Sequence, residues 1–343
     1  DVAFSPDGKT LAYSSEREGI WNIYTAELSH EADITFPYAT VINEKPLFKN
    51  NKIDRRAPMY SPDGKELAYI ENRDRLMVMD VESGKVRQIT DGSQCFSTSG
   101  AFDYKWSPDG KWFTLSYSAR NHYPYDDIGI VSAKGGEPII NLTESGYTDS
   151  SPEWVLGGNA ILFTSERYGM RNHASWGTLK DVMIVFLNRK AYDDFRMTKE
   201  EKEFEKQMSG ASDGDKKKKD DKVEEIIVEL DGIDERIMRL TPVSSDLGHA
   251  TLSKDGTVLY YQASYEGGMN LWKYEIEKGI PSKIGSARGR MVWDAKYNNL
   301  YVLGSRFSKM KSGGKSLESI SVRTDMSMDL AAEREYMFNH VYR

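Results

Sequence analysis

Phe4-Ser5-Pro6-Asp7-Gly8-Lys9-Thr10-Leu11-Ala12-Tyr13 decides how this chain is read, because it recurs. Tyr60-Ser61-Pro62-Asp63-Gly64-Lys65-Glu66-Leu67-Ala68-Tyr69 and Trp106-Ser107-Pro108-Asp109-Gly110-Lys111-Trp112-Phe113 nearly copy it. Weaker copies begin at Ser151-Pro152-Glu153-Trp154 and at Leu252-Ser253-Lys254-Asp255-Gly256, and a degenerate one at Val292-Trp293-Asp294. In each clear copy an apolar residue, usually aromatic, ends one strand. Ser-Pro-Asp-Gly then makes a tight turn: Pro presets φ, Asp bonds its own backbone, and Gly supplies a positive φ. An alternating strand such as Leu11-Ala12-Tyr13 follows.

Working outward, each copy has a third strand downstream, as in Ile20 to Tyr24, Leu76 to Val81, Ile128 to Val131 and Asn270 to Tyr274. A fourth carries endings such as Arg87-Gln88-Ile89-Thr90, Ile140-Asn141-Leu142-Thr143 and Met238-Arg239-Leu240-Thr241. Prolines 6, 62, 108 and 152 are 56, 46 and 44 residues apart. A four-stranded unit at that period predicts an all-β propeller of antiparallel blades. Six repeats are visible, which fits six blades or a seven-bladed ring with one blade missing. The expected propeller spans 1–324, and Tyr60, Trp106, Trp154 and Trp293, each before a turn, are expected to be mostly buried.

The pattern breaks at 187–231, read as an insertion in the fourth blade. Thr198 is its helix N-cap and Glu201 closes a capping box. Phe204 and Met208 fall on one side of that helix. The Gly/Ser/Asp/Lys-rich stretch behind it, with Lys216 to Lys219, is too polar to order itself. Between the first two repeats, Phe36 to Lys49 reads as an outer strand and a basic loop ending in Lys52, Arg55 and Arg56. From Asp329 the chain turns helical, with Leu330, Met337, Phe338 and Val341 on one face. Segment 325–343 is therefore expected to open a further, downstream domain.

The 343 residues carry a net charge of −7, which argues against a nucleic-acid backbone as partner. No apolar run is long enough to span a bilayer. Cys95, the one cysteine, excludes a disulfide framework and reads as inert. The chain opens within a repeat and without Met, so its natural start and any targeting signal are expected to be missing.

The search for chemistry yields no catalytic, cofactor or metal site. Gly210-Ala211-Ser212-Asp213-Gly214 matches a nucleophile-elbow pattern but lacks the strand and helix that would present Ser212. Gly313-Gly314-Lys315-Ser316 resembles a phosphate loop, yet position 309 is Lys rather than Gly. His30, His122, His173, His249 and His340 are scattered without metal-ligand spacing. His249 has two readings, a channel-facing side chain or, preferred, a structural one. Asn141-Leu142-Thr143 fits a glycosylation sequon but reads as a strand end.

The Ser-Pro-Asp-Gly-Lys copies, each followed by an apolar-Ala-Tyr strand, resemble the WD40-like repeats of the TolB and tricorn propellers. Combined with the insertion, with Val228 to Thr241 and with Glu333-Arg334-Glu335-Tyr336-Met337-Phe338, the chain resembles bacterial tricorn-type proteases, Bacteroidetes-like ones in particular. That resemblance implies the second propeller of a large serine peptidase whose PDZ and catalytic domains lie downstream. It implies no catalytic residue here, since His340 does not match the family's histidine. It implies unfolded peptides as substrates, filtered by a narrow pore, and favours the periplasm over the cytoplasm, with homo-oligomerisation left open. Two competing readings are a TolB-like protein-binding module and the lid of a prolyl-oligopeptidase-type enzyme.

Overall fold

The computed structural model describes residues 1–343 except 31, 50–51, 96–101, 120–124, 172–177, 209–223, 266, 324–327 and 343. Six antiparallel sheets of four strands follow one another, and within each the strands lie in sequence order. Their first strands are Val2–Phe4, Arg55–Tyr60, Tyr104–Trp106, Asp149–Val155, Leu247–Leu252 and Arg290–Trp293. The core lies between successive sheets. Ala12 and Ile23 of the first sheet pack on Leu67, Tyr69 and Met77 of the second. Like clusters join the second to the third, and so on to the sixth. None of these clusters, among the described residues, holds members of both the sixth sheet and the first. This is the expected all-β propeller of six four-stranded blades with a short C-terminal helix.

The turn chemistry read from the sequence is seen four times. Ser5 Oγ donates to Asp7 Oδ1 at 2.6 Å, the Lys9 N–H donates to the same oxygen at 3.0 Å, and the Thr10 N–H donates to Ser5 Oγ at 2.9 Å. Ser61–Asp63, Ser107–Asp109 and Ser253–Asp255 repeat the set. These bonds hold the Asp7, Asp63 and Asp255 carboxyls below their ordinary range, against desolvation that is the largest influence on Asp255. The turns also stack around the ring: a Cβ on Gly64, at φ +73°, would lie 3.1 Å from Pro6 Cδ of the preceding turn. At the opposite ends of the blades the Ile/Leu-Thr endings act as clips. Thr90, Thr143 and Thr241 each accept, on Oγ1, the N–H of Leu76, Ile128 or Val182 in the third strand.

The fourth repeat departs from the expected alignment. Pro152 is not in a turn; it sits within the first strand, and the turn is Leu156–Gly158. The second sheet explains the ambiguity, since it has one proline of each kind: Pro58 inside its first strand and Pro62 in its turn. The four aromatics expected to be mostly buried are so to different degrees: Trp106 is fully buried, at 7% exposure, while Tyr60, Trp154 and Trp293 keep part of their surface in solvent.

The insertion is better anchored than expected. A helix that the sequence did not suggest, α1 (Arg189–Arg196), is capped by Asn188, whose side chain accepts from the Ala191 N–H. Its Tyr192 and Phe195 rings pack on Phe186, with centroids 5.6 and 4.9 Å away. The expected helix follows as α2 (Lys199–Met208), with the Thr198–Glu201 capping box formed in both directions. Phe204 and Met208 are exposed. The lysine run lies outside the described residues. Beyond it the chain returns to the propeller: Ile226 is buried, and Arg236, 1% exposed, donates to the carbonyls of Phe186, Glu229, Asp231 and Gly232.

Arg55 and Arg56 do not end a basic loop; they begin the first strand of the second sheet. Arg55 pairs with Glu71 at 3.0 Å and Arg56 with Asp54 at 2.7 Å, so both charges are spent within the fold. Helix α3 (Leu330–Tyr342) starts at Asp329, whose side chain accepts from the Ala331 and Ala332 N–H groups. Leu330, Met337, Phe338 and Val341 are 57, 58, 65 and 85% exposed. They do not form a lone apolar face, since Tyr336 and Tyr342, also exposed, project from the other sides of the helix. Polar contacts tie α3 to the first sheet: Tyr336 Oη donates to Glu16 at 3.3 Å, and His340 Nδ1 lies 3.5 Å from the same carboxylate.

Candidate functional site

A cavity of about 590 Å³ lies among the first strands of all six sheets. Val2, Met59, Lys105, Glu153, His249 and Arg290 each stand for one sheet in its wall. The six first strands are thus the inner strands, and the cavity lies on the propeller axis. Its volume falls in the ~300–1,000 Å³ range of ligand sites.

Three inner strands reach the cavity by the same device. Two residues oppose one across the pairing with the second strand at Ala57–Pro58, at Ser151–Pro152 and at Gly248–His249. Such a bulge interrupts the ladder and turns side chains away from their regular positions. Ala57 and Ser151 take φ of 51° and 57°, the left-handed region. The strain at Ala57 is held by its neighbours: its N–H donates to Ser14 Oγ at 3.1 Å, and its carbonyl accepts from Tyr104 Oη. Proline follows in both cases, where a bulge leaves its missing N–H without cost.

The bulges bring together charges from three successive sheets. Glu153 accepts from the ammonium of Lys105, and His249 Nε2 lies 3.3 Å from the same carboxylate oxygen. Burial alone would raise the Glu153 pKa. The hydrogen bond from His249 and the positive charge of Lys105 outweigh it and hold the carboxyl down at about 2. Each member is mostly shielded from solvent. His249 Nδ1 is buried and has no hydrogen-bond partner. The cluster can fix a charge pattern on the wall and present imidazole to a passing group. Among the described residues no set of three or more His, Cys, Asp or Glu side chains is placed to hold a metal.

Of the two readings of His249, channel-facing and structural, the structure shows the first, since it lines the cavity, and its contact with Glu153 leaves the second compatible with it. Lys105 and Glu153 were not singled out, although a signal existed. Each immediately precedes a tryptophan at or next to the end of an inner strand, and alternation sends neighbours to opposite sides. Of the remaining candidates, those that are described lie away from the cavity. Gly210 to Gly214, with Ser212, is outside the described residues, as are His122 and His173. Gly313 takes φ +72° in a turn, and its N–H donates to Tyr260 Oη at 3.1 Å. Asn141 donates to Asp127 and accepts from the Thr143 and Glu144 N–H groups, which is a strand-end role. The Cys95 thiol is pushed up to about 11, chiefly by burial.

No family model matches the chain. It is 28% identical over 172 residues to dipeptidyl-peptidase 5 of Aspergillus fumigatus, covering 43% of this chain and 24% of that protein. It is 26% identical over 193 residues to a protein of Sulfurisphaera tokodaii provisionally named a tricorn-like protease C-terminal subunit, covering 54% of this chain and 19% of that one. The matches thus span a quarter or less of these curated relatives' length. Among solved structures, tricorn protease superposes with a TM-score of 0.69 at 11% identity, over 99% of this chain and 32% of that one. TolB from Acinetobacter baumannii gives 0.51 at 16% identity, over 93% of this chain and 65% of that one. No helix among the described residues is long and apolar enough to cross a membrane. The chain is a β-propeller related in fold to tricorn protease and to TolB, with partial sequence likeness to peptidases.

Proposed function

We propose that this chain is the non-catalytic propeller of a tricorn-like serine peptidase, admitting unfolded polypeptide through its axial cavity to catalytic residues held elsewhere. The observation that carries this reading is the cavity itself: a charge-bearing space walled by the inner strands of every sheet. Such a wall admits an extended chain and rejects a folded one by size. The sequence likeness to peptidases supports the peptide as cargo. The periplasm is the compartment that this reading favours.

The test is a plug. Ser151 is exposed in the cavity wall. In a Cys95→Ala background, Ser151→Cys coupled to a bulky maleimide narrows the axis while leaving the outer faces untouched. Loss of binding of an unfolded polypeptide, measured by fluorescence anisotropy, is the expected result. Undiminished binding would favour the second reading, a TolB-like module that holds a partner protein on an outer face. The fold shared with TolB supports that alternative.

A further inference from the structure

We infer that the axial cavity prefers polypeptide bearing carboxylates, which Arg288 and Arg290 receive; this rests on the cavity being a peptide passage. Both arginines line the cavity and are exposed. Among the described residues, neither guanidinium has an ion pair or a side-chain hydrogen bond. Their backbone, in contrast, is fixed. Gln262, 1% exposed, donates from Nε2 to the Gly289 carbonyl at 2.7 Å and accepts the Gly289 N–H on Oε1 at 3.2 Å. Gly289 has φ +143°, and a Cβ there would lie 2.3 Å from the Leu303 carbonyl oxygen. A buried amide clamp and a close strand contact therefore hold Arg288-Gly289-Arg290 in place, while both charged heads stay free.

The other cavity charges sharpen the contrast. Lys105 and His249 Nε2 both engage the Glu153 carboxylate. Asp103 is exposed on the third sheet, three sheets round the ring from the arginines. Asp1 lines the wall too, and makes no ion pair with either arginine. Among the described lining residues, free positive charge thus comes from Arg288 and Arg290, while free carboxylates stand at Asp103 across the axis and at Asp1 beside the first sheet. A guanidinium offers a planar fork of donors that fits a carboxylate in two-point contact. Within low-dielectric walls its field is screened less than at an open surface. The overall charge of −7 would by itself disfavour acidic chains, so this preference has to come from the arginines locally.

The experiment compares two rhodamine-labelled, C-terminally amidated Gly/Ser peptides, one carrying glutamates and the other glutamines at the same positions. Binding to the whole chain is read by anisotropy, with circular dichroism to confirm folding of each variant. Expected are an affinity about tenfold higher for the acidic peptide, and loss of that preference in Arg288→Gln/Arg290→Gln with glutamine-peptide affinity unchanged. Arg288→Lys/Arg290→Lys should restore part of it. Equal binding of the two peptides by the wild type, or a preference that survives the glutamine pair, overturns the inference and leaves the passage standing. Binding of neither peptide overturns both.

Discussion

The indole N–H of Trp154 donates to the carbonyl of Lys105 at 3.2 Å, while the ammonium of Lys105 reaches back to Glu153, the neighbour of that tryptophan. Two adjacent inner strands are therefore joined by bonds running in opposite directions. Trp106 makes the first of these contacts one sheet earlier, donating to the Met59 carbonyl at 3.1 Å. The residue before the turn serves as a tie between blades as well as an apolar filler. Trp154→Phe keeps the ring and deletes the donor. It should cost about 0.5–1.5 kcal/mol in urea unfolding, and Trp106→Phe should cost a similar amount.

Gly8 and Gly64 separate backbone strain from turn stacking. Both have φ near +72°, but a Cβ on Gly8 meets nothing within 4 Å whereas one on Gly64 meets Pro6. Gly8→Ala should destabilise by about 1 kcal/mol from the left-handed backbone alone. Gly64→Ala should cost more, by several tenths of a kcal/mol or above. Equal losses would mean that the turns stack too loosely to matter.

Asp149 gives a pH-dependent prediction. It is fully buried, and among the described residues neither carboxylate oxygen has a hydrogen bond of regular geometry; burial outweighs the nearby Ser165 and Thr143 side chains and pushes its pKa up to about 6. Between the ordinary value of 3.8 and about 6 the folded state binds more protons than the unfolded one. Stability should fall as pH rises through that window. Asp149→Asn should then stabilise at pH 7 by on the order of 1–3 kcal/mol and do little at pH 3.5.

Glu153 has the opposite sign. Its carboxyl is held at about 2 against an ordinary 4.5, so between these values the unfolded chain binds more protons. The stability it contributes is complete above about 4.5 and is lost as pH falls toward about 2. Thermal scans should show that Glu153→Gln loses less stability than the wild type across this window.

Arg236 should be the most sensitive single position outside the blades' apolar core. It is buried, and its guanidinium donates to four main-chain carbonyls. Arg236→Met fills most of the volume but leaves those acceptors unpaired, at a cost of about 2–4 kcal/mol. Hydrogen exchange should then rise first around Ile226 to Gly232, which the arginine ties to the fourth sheet.

The blades were legible because the signals that build them are local. Asp7, Asp63, Asp109 and Asp255 each close a turn with residues two to five places away, so the turn can be read without knowing its neighbours. Pro152 shows the limit: Ser-Pro has two homes in this fold, turn and bulge, and the dipeptide does not distinguish them. The Lys105–Glu153 pair was less accessible still, since 48 positions separate its members. They meet only because successive inner strands line one axis and a bulge re-aims Glu153. Helix α1 was missed because its stabilising ring contacts with Phe186 are tertiary, and at eight residues its one apolar face, Ala191, Tyr192 and Phe195, is too short to show a repeat.

The three bulges bear on how this wall can change through mutation. At Ala57–Pro58, Ser151–Pro152 and Gly248–His249 the extra residue has no opposite number in the second strand. Of these six residues Ser151 is the exposed one and answers to the lumen, whereas Ala57 packs on the cluster between the second and third sheets and His249 bonds Glu153 of the fourth. A substitution at Ser151 can recharge, widen or narrow the axis while the buried Leu162 behind it keeps its place. The lumen of this propeller can therefore drift by mutation at Ser151 without waiting on the architecture that surrounds it.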